Sequence, residues 1–194
     1  LDLAATLTVA GAMRYAGQKC TATSRAVVDR RVRDAYLAKV RAQVDALVLG
    51  PVTDPTAVVG PVISRESKDS IDRALAGASG AKIHGGKLPA GDAWSRGFFC
   101  PPAVVENADP DSAIARDELF GPVLATFEAS DLDEAIALAN RTAYGLSASI
   151  FTRDIRSALA FIPKIEAGLV RVNGDTTGVD PHAPFGGMKG SSSG

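Results

Sequence analysis

Short runs of β-branched and apolar residues alternate with longer stretches whose apolar positions recur at helical spacing, and this alternation narrows the fold more than any other feature. The strand candidates are Ala26-Val27-Val28, Ala81 to His84, Pro102 to Val105, Pro122 to Phe127, Ser147 to Phe151 and Gly168 to Val172. Residues 1–16 are Ala-rich and free of Pro, which predicts a largely buried helix. Leu37, Val40, Val44 and Leu47 predict a helix from Val32 to Leu47, stopped by Gly50-Pro51. Ser64 is placed to cap a helix running to about Ala78. Two more helices are expected, over Asp131 to Asn140 with Leu132, Ala135, Ile136 and Ala139 on one face, and over Asp154 to Ile162 with Ile155, Ala158, Leu159 and Ile162 on one apolar face. Strands alternating with helices imply βαβ units, hence an α/β fold of three αβα layers around a mostly parallel sheet. Residues 50–62, with three prolines, read as a surface loop, and residues 85–102 as a Gly- and Pro-rich excursion. After Asn173 the chain is expected to be irregular. No repeat and no linker divides it, so residues 1–194 are read as one domain.

A net charge of −1 leaves no broad basic field for nucleic acid or an anionic membrane, and no apolar run reaches bilayer length. Two cysteines make no disulfide framework, so a reducing, cytoplasmic setting is expected. Leu1-Asp2-Leu3-Ala4-Ala5 reads as the middle of a helix, and Gly190-Ser191-Ser192-Ser193-Gly194 stops abruptly; a chain cut from a longer protein is expected. No G-x-G-x-x-G, Walker A or G-x-S-x-G motif occurs. His84 and His182 stand without a ligand cluster and are expected at the surface, with no metal site.

Cys20 is the residue with chemistry to explain. Most intracellular cysteines are small buried hydrophobes. This one lies in a polar stretch opened by Gly17 and flanked by Gln18, Lys19, Thr21 and Thr23, a setting that exposes a thiol to reaction. A free thiol titrates near ~8.5, so a nucleophilic cysteine needs an activating charge, dipole or base. No histidine is near it in sequence.

Gly17-Gln18-Lys19-Cys20-Thr21-Ala22-Thr23-Ser24-Arg25 resembles the cysteine active-site signature of the aldehyde dehydrogenase superfamily. Asp117-Glu118-Leu119-Phe120-Gly121-Pro122-Val123 resembles the family's E-x-F-G-P-V segment. Val172-Asn173, then Pro184-Phe185-Gly186-Gly187-Met188-Lys189-Gly190-Ser191, resembles its V-N and P-F-G-G-x-K-x-S ending. Gly60-Pro61-Val62-Ile63 and Tyr144 to Phe151 also fit, and the likeness runs along essentially the whole chain in the family's order.

The resemblance implies a Rossmann-like catalytic domain without most of its cofactor-binding and oligomerisation segments. It implies a Cys20 nucleophile whose backbone N–H helps hold a developing oxyanion. It implies NAD or NADP bound with Glu118 on the nicotinamide ribose and Phe120 against the nicotinamide end. Thr21, Asn173, Thr177 and Phe185 are assigned to the substrate side, and Cys100 is read as structural. Residues 20–25 and 178–187 are most similar to the α-ketoglutaric semialdehyde dehydrogenases of that family, which implies 2,5-dioxopentanoate as the small-molecule aldehyde. Lys19 and Arg171 are candidate cations for its carboxylate but read better as structural or solvated. A homo-oligomer is expected, paired near the edge strand Gly168 to Val172, and the isolated chain is expected to be inactive. The competing readings are a CoA-dependent acylating enzyme, a non-catalytic module that keeps the fold, and an unrelated thiol hydrolase.

Overall fold

The computed structural model describes every residue except Ser79, Pro89, Ser193 and Gly194. Pro89 belongs to the expected excursion and Ser193-Gly194 to the expected irregular end, so both lie outside the described residues. The elements are α1 (Asp2–Met13), β1 (Arg25–Asp29), α2 (Arg33–Asp45), α3 (Arg65–Gly77), β2 (Lys82–Gly85), β3 (Ala103–Glu106), α4 (Ala113–Arg116), β4 (Val123–Ala129), α5 (Leu132–Asn140), β5 (Tyr144–Gly145), β6 (Ser147–Ile150), α6 (Ile155–Phe161), β7 (Leu169–Val172) and β8 (Met188–Lys189).

The expected α/β architecture is present. A four-stranded sheet runs β1-β4-β3-β2, with β1–β4 and β4–β3 parallel and β2 antiparallel to β3. Every residue of β3 and all but Glu128 of β4 are buried, so these strands are covered on both faces, as parallel strands in α/β proteins are. The fully buried Met13, Leu37, Val40, Ile71 and Leu124 bring α1, α2, α3 and β4 into one core. The remaining strands form two separate pairs, β6–β7 parallel and β5–β8 antiparallel. A second, smaller core of Ile136, Phe161, Ile165 and Ala167 underlies β6–β7. Helix α5 serves both cores, Leu138 packing on the first and Ile136 on the second.

Local chemistry explains most of these boundaries. Ser64 Oγ accepts the Ser67 N–H at 3.1 Å and starts α3. Asp131 caps α5 through the Glu134 N–H, while Glu134 reaches back to the Ser130 N–H, a reciprocal cap. Four expectations need correction. Helix α1 ends at Met13, because Tyr15, Ala16 and Gly17 are all left-handed. Helix α2 ends at Asp45, well before Gly50-Pro51. On α6 the buried stripe is Ala158 and Phe161, and Ile155, Leu159 and Ile162 face outward. Both stripes have helical spacing, and the aromatic ring takes the inner one. The end of the chain is not wholly irregular, since β8 pairs with β5, two residues being too few to show a period. No described helix is long and apolar enough to cross a membrane.

Candidate active site

The three left-handed residues after α1 lift the chain out of the helix and aim it at the sheet. Left-handed backbone costs an L-residue roughly 1–2 kcal/mol, so Tyr15 and Ala16 (φ 56° and 53°) store strain that their surroundings must hold. Gly17 (φ 68°) completes the turn, and a Cβ there would stand 2.1 Å from the Gly121 carbonyl oxygen. A Cβ on Gly121 would in turn stand 2.3 Å from Cδ1 of Ile71 on α3. Two bare backbones thus press together against α3, and this contact brings the Cys20 segment against the Glu118–Pro122 segment.

Beyond Gly17 the chain closes a turn in which the Ala22 N–H donates to Lys19 O at 2.9 Å. Cys20 sits on that turn, exposed. Polar ties hold the segment on several sides. Gln18 Oε1 accepts the Ile63 N–H at 2.9 Å, which fastens it to Gly60-Pro61-Val62-Ile63. Lys19 Nζ donates to Thr177 O at 3.1 Å, and the Thr23 and Thr176 hydroxyls are 2.8 Å apart. Arg25, at the start of β1, donates to Leu138 O and Arg141 O at the C-terminal end of α5 and stacks over Phe127.

A cleft of about 760 Å³ is lined by β1 and β6, and Cys20, Thr21, Glu118 and Phe120 also line it. The Phe120 ring is 42% exposed on a left-handed residue (φ 52°), directed outward where a core phenylalanine would turn in. Glu118 is exposed just beyond the end of α4. A thiol, a carboxylate and an accessible aromatic ring therefore share one opening. That set fits a ribose diol and a flat heteroaromatic ring beside a nucleophile. Thr21 is 2% exposed, with a hydroxyl that has no partner among the described residues.

Three other residues proposed from sequence do not line the cleft. Asn173, left-handed at φ 56°, spends its amide on Thr152, accepting from its N–H and donating to its carbonyl at 2.9 Å each. Thr177 donates to Asp175 through its N–H and hydroxyl. Phe185 is half exposed. The candidate cations are committed internally, Lys19 to Thr177 O and Arg171 to Gly178 O. His84 is bonded to Asp45 and His182 is exposed. Among the described residues no group of three or more His, Cys, Asp or Glu could hold a metal ion. Sequence reasoning missed Gln18, Thr23 and Thr176 as structural ties, since their partners lie some 45 to 153 residues away.

Comparison with known proteins bears on the family and the fold. The chain is 45% identical to an alpha-ketoglutarate semialdehyde dehydrogenase of Haloferax volcanii over 98% of its own length and 40% of that protein's. It is 38% identical to a 2,5-dioxopentanoate dehydrogenase of Saccharolobus solfataricus, again over 98% of this chain and 40% of that protein. Among solved structures it superposes on a betaine aldehyde dehydrogenase of Staphylococcus aureus in complex with NAD+, with a TM-score of 0.90 and 35% identity over 96% of this chain and 38% of that one. The chain thus spans about 40% of the length of the curated relatives it matches. A family model described as the aldehyde dehydrogenase family matches residues 1–194, and the chain belongs to that family.

Proposed function

We propose that residues 1–194 are the cysteine-bearing catalytic domain of an NAD+- or NADP+-dependent enzyme that oxidises a semialdehyde, 2,5-dioxopentanoate in our reading, to its carboxylic acid. The observation that carries this is the exposed Cys20 turn sharing one cleft with Glu118 and Phe120. The names of the relatives support the substrate class.

The Cys20 thiolate adds to the aldehyde carbon and forms an S–C bond, giving a thiohemiacetal. Its oxygen takes up negative charge, which the Cys20 N–H stabilises in this reading. The nicotinamide, when bound, supplies the acceptor for hydride from that carbon. Glu118 would hold its ribose hydroxyls and Phe120 would border its ring. A thioester remains on Cys20; water attacks it, the S–C bond breaks, the acid leaves and the thiolate is restored. In this reading Thr21 belongs on the substrate side of the cleft, Asn173 and Thr177 act through the wall they order, and the half-exposed Phe185 meets the substrate outside the cleft lining. We also read the whole protein as a cytoplasmic homo-oligomer, with β7 as the edge next to the partner.

The test compares kcat/KM of the native polypeptide for 2,5-dioxopentanoate and for propanal. At least a tenfold preference for the charged substrate, about 1.4 kcal/mol, is expected. Equal values remove the semialdehyde assignment, and absence of NAD(P)H formation with either removes the enzyme. Acyl-CoA as the product, in place of free acid, replaces water by CoA in the last step.

A further inference from the structure

We propose that the Asp175–Gly178 turn is a latch that sets the position of the Cys20 thiol, with Lys19 and Thr23 as the positioning residues through which it acts. The proposal rests on the reading of Cys20 as a nucleophile.

Cys20 lies on an exposed turn, where its own neighbours restrain it little. Restraint comes from the two flanks; Gln18 ties to the Ile63 N–H and the Thr23 N–H to Gly11 O, and beyond these, one side-chain bond from each flank reaches the same distant turn. One residue before the thiol, the Lys19 ammonium donates to Thr177 O at 3.1 Å; three residues after it, the Thr23 hydroxyl meets that of Thr176 at 2.8 Å. Adjacent residues of a single distant turn therefore bracket the sulfur.

That turn has little freedom of its own. Asp175 Oδ1 accepts the N–H groups of Thr177 and Gly178 at 2.9 and 2.7 Å and the Thr177 hydroxyl at 3.1 Å. Arg171, on β7, donates its guanidinium to Gly178 O. From β6, Ser147 donates to Thr176 O at 3.0 Å and Ser149 to Gly174 O at 2.7 Å. The turn is fastened to both strands of the β6–β7 pair, so the latch refers the nucleophile to that sheet across the cleft. Room for the Thr23–Thr176 contact is left by Gly11 on α1, where a Cβ would stand 2.5 Å from Thr23 Oγ1. The arrangement also gives the Lys19 ammonium an internal task.

A latch predicts an effect on carbonyl attack that plain access to the thiol does not share. Attack on a carbonyl needs the sulfur placed so that the oxyanion meets its backbone donor, and small misplacements cost up to about a hundredfold. Alkylation by iodoacetamide in open solvent has no such demand. The probe for the first is p-nitrophenyl acetate. The Cys20 thiolate forms an S–C bond to its acyl carbon, the C–O bond to the ring breaks, and p-nitrophenolate leaves with the electron pair.

Acylation and alkylation rates of Cys20 are measured across pH on the native polypeptide. The proteins compared are the parent, Thr23→Val, Thr176→Val, the double variant, Thr23→Ser and Lys19→Met. The latch predicts acylation about tenfold slower in either valine variant, with alkylation within about twofold of the parent. The double variant should be no slower than either single, Thr23→Ser should restore the rate, and Lys19→Met should reproduce the loss independently. Unchanged acylation in the valine variants and in Lys19→Met overturns the latch while leaving Cys20 a nucleophile. Equal loss of acylation and alkylation overturns it too, as simple collapse of the loop. A parent protein that acylates no faster than a free cysteine peptide overturns the nucleophile reading and the latch with it.

Discussion

The two cysteines of this chain occupy opposite kinds of site, and the difference shows how one fold makes a thiol available or inert. Cys20 is exposed on a hydrogen-bonded turn, fastened from outside by Gln18, Lys19 and Thr23. Cys100 is 1% exposed in the large core, just before β3. Burial pushes its thiol up to about 11, with Lys68 pulling it down and Asp72 pushing it up by smaller amounts. Hydrophobic packing holds Cys100 in place and disarms it, whereas polar ties hold Cys20 and leave its sulfur open.

The sharpest break of that contrast is functional. Cys20→Ala in the native polypeptide is expected to lower kcat by at least about 10³-fold, as loss of a covalent nucleophile does. Cys100→Ala should leave kcat within about twofold and show its effect only in thermal stability. Steady-state NAD(P)H formation measures both, and substantial turnover by Cys20→Ala would end the assignment of roles.

A second test needs only the thiols. Raising a thiol by about two units, as burial does for Cys100, cuts its thiolate fraction about a hundredfold near neutral pH, before shielding slows it further. Peptide mapping after limited iodoacetamide treatment at pH 7.5 should therefore find Cys20 modified and Cys100 untouched until the chain is denatured. Comparable labelling of both in the folded protein contradicts the contrast.

The core beside Cys100 is also pinned by charge, which makes it sensitive to acid. Glu106 on β3 is 3% exposed and grips Arg41 of α2 in two bonds of 2.6 and 2.5 Å, with Lys82 3.7 Å away. Burial pushes the Glu106 carboxyl up, but Arg41, Lys82 and Arg33 together hold it below the ordinary carboxylate range. A carboxyl depressed in the folded state contributes stability that is complete above its unfolded value of about 4.3 and lost as pH falls through the folded value. Glu106→Gln should lower stability at pH 7 by about 1–3 kcal/mol, less than a fully buried pair because Arg41 is partly exposed, and should flatten that part of the acid profile. Denaturant melts of both proteins from pH 7 to 3 read the difference; parallel pH profiles would show that Glu106 is not the group responsible.

What the sequence disclosed follows the range of the forces involved. Ser64, Asp131 and Asp154 mark helix starts through bonds to residues two or three positions ahead, and all three serve as caps in the structure. The polar surroundings of Cys20 suggested exposure, and exposure is what the structure shows. Contacts that depend on the third dimension were hidden. Nothing local announces that Gly17 must meet Gly121, that Lys19 is used by Thr177 O, or that Asn173 turns its amide to Thr152. The α6 stripe was misassigned because two apolar stripes fit one short helix, and only its packing partner selects between them. The Glu118 and Phe120 roles rest on resemblance, since a lone acid and a lone aromatic ring announce no chemistry in sequence.

The smallest effect asks whether the two cysteines are independent, since one helix touches both regions. On α3, Ile71 lies against Gly121 at the back of the Cys20 segment, while Lys68 and Asp72 act on the Cys100 thiol. Ser64→Ala removes the cap of this helix and should cost about 1 kcal/mol. If Cys100 reacts only through opening of the core, its labelling should accelerate about fivefold, the factor that energy allows. Cys20, already exposed, should label at an unchanged rate. Equal acceleration of both would mean that α3 also governs the nucleophile turn, and that core packing and the polar ties act as one support. No change at either would mean that opening at Cys100 does not pass through α3.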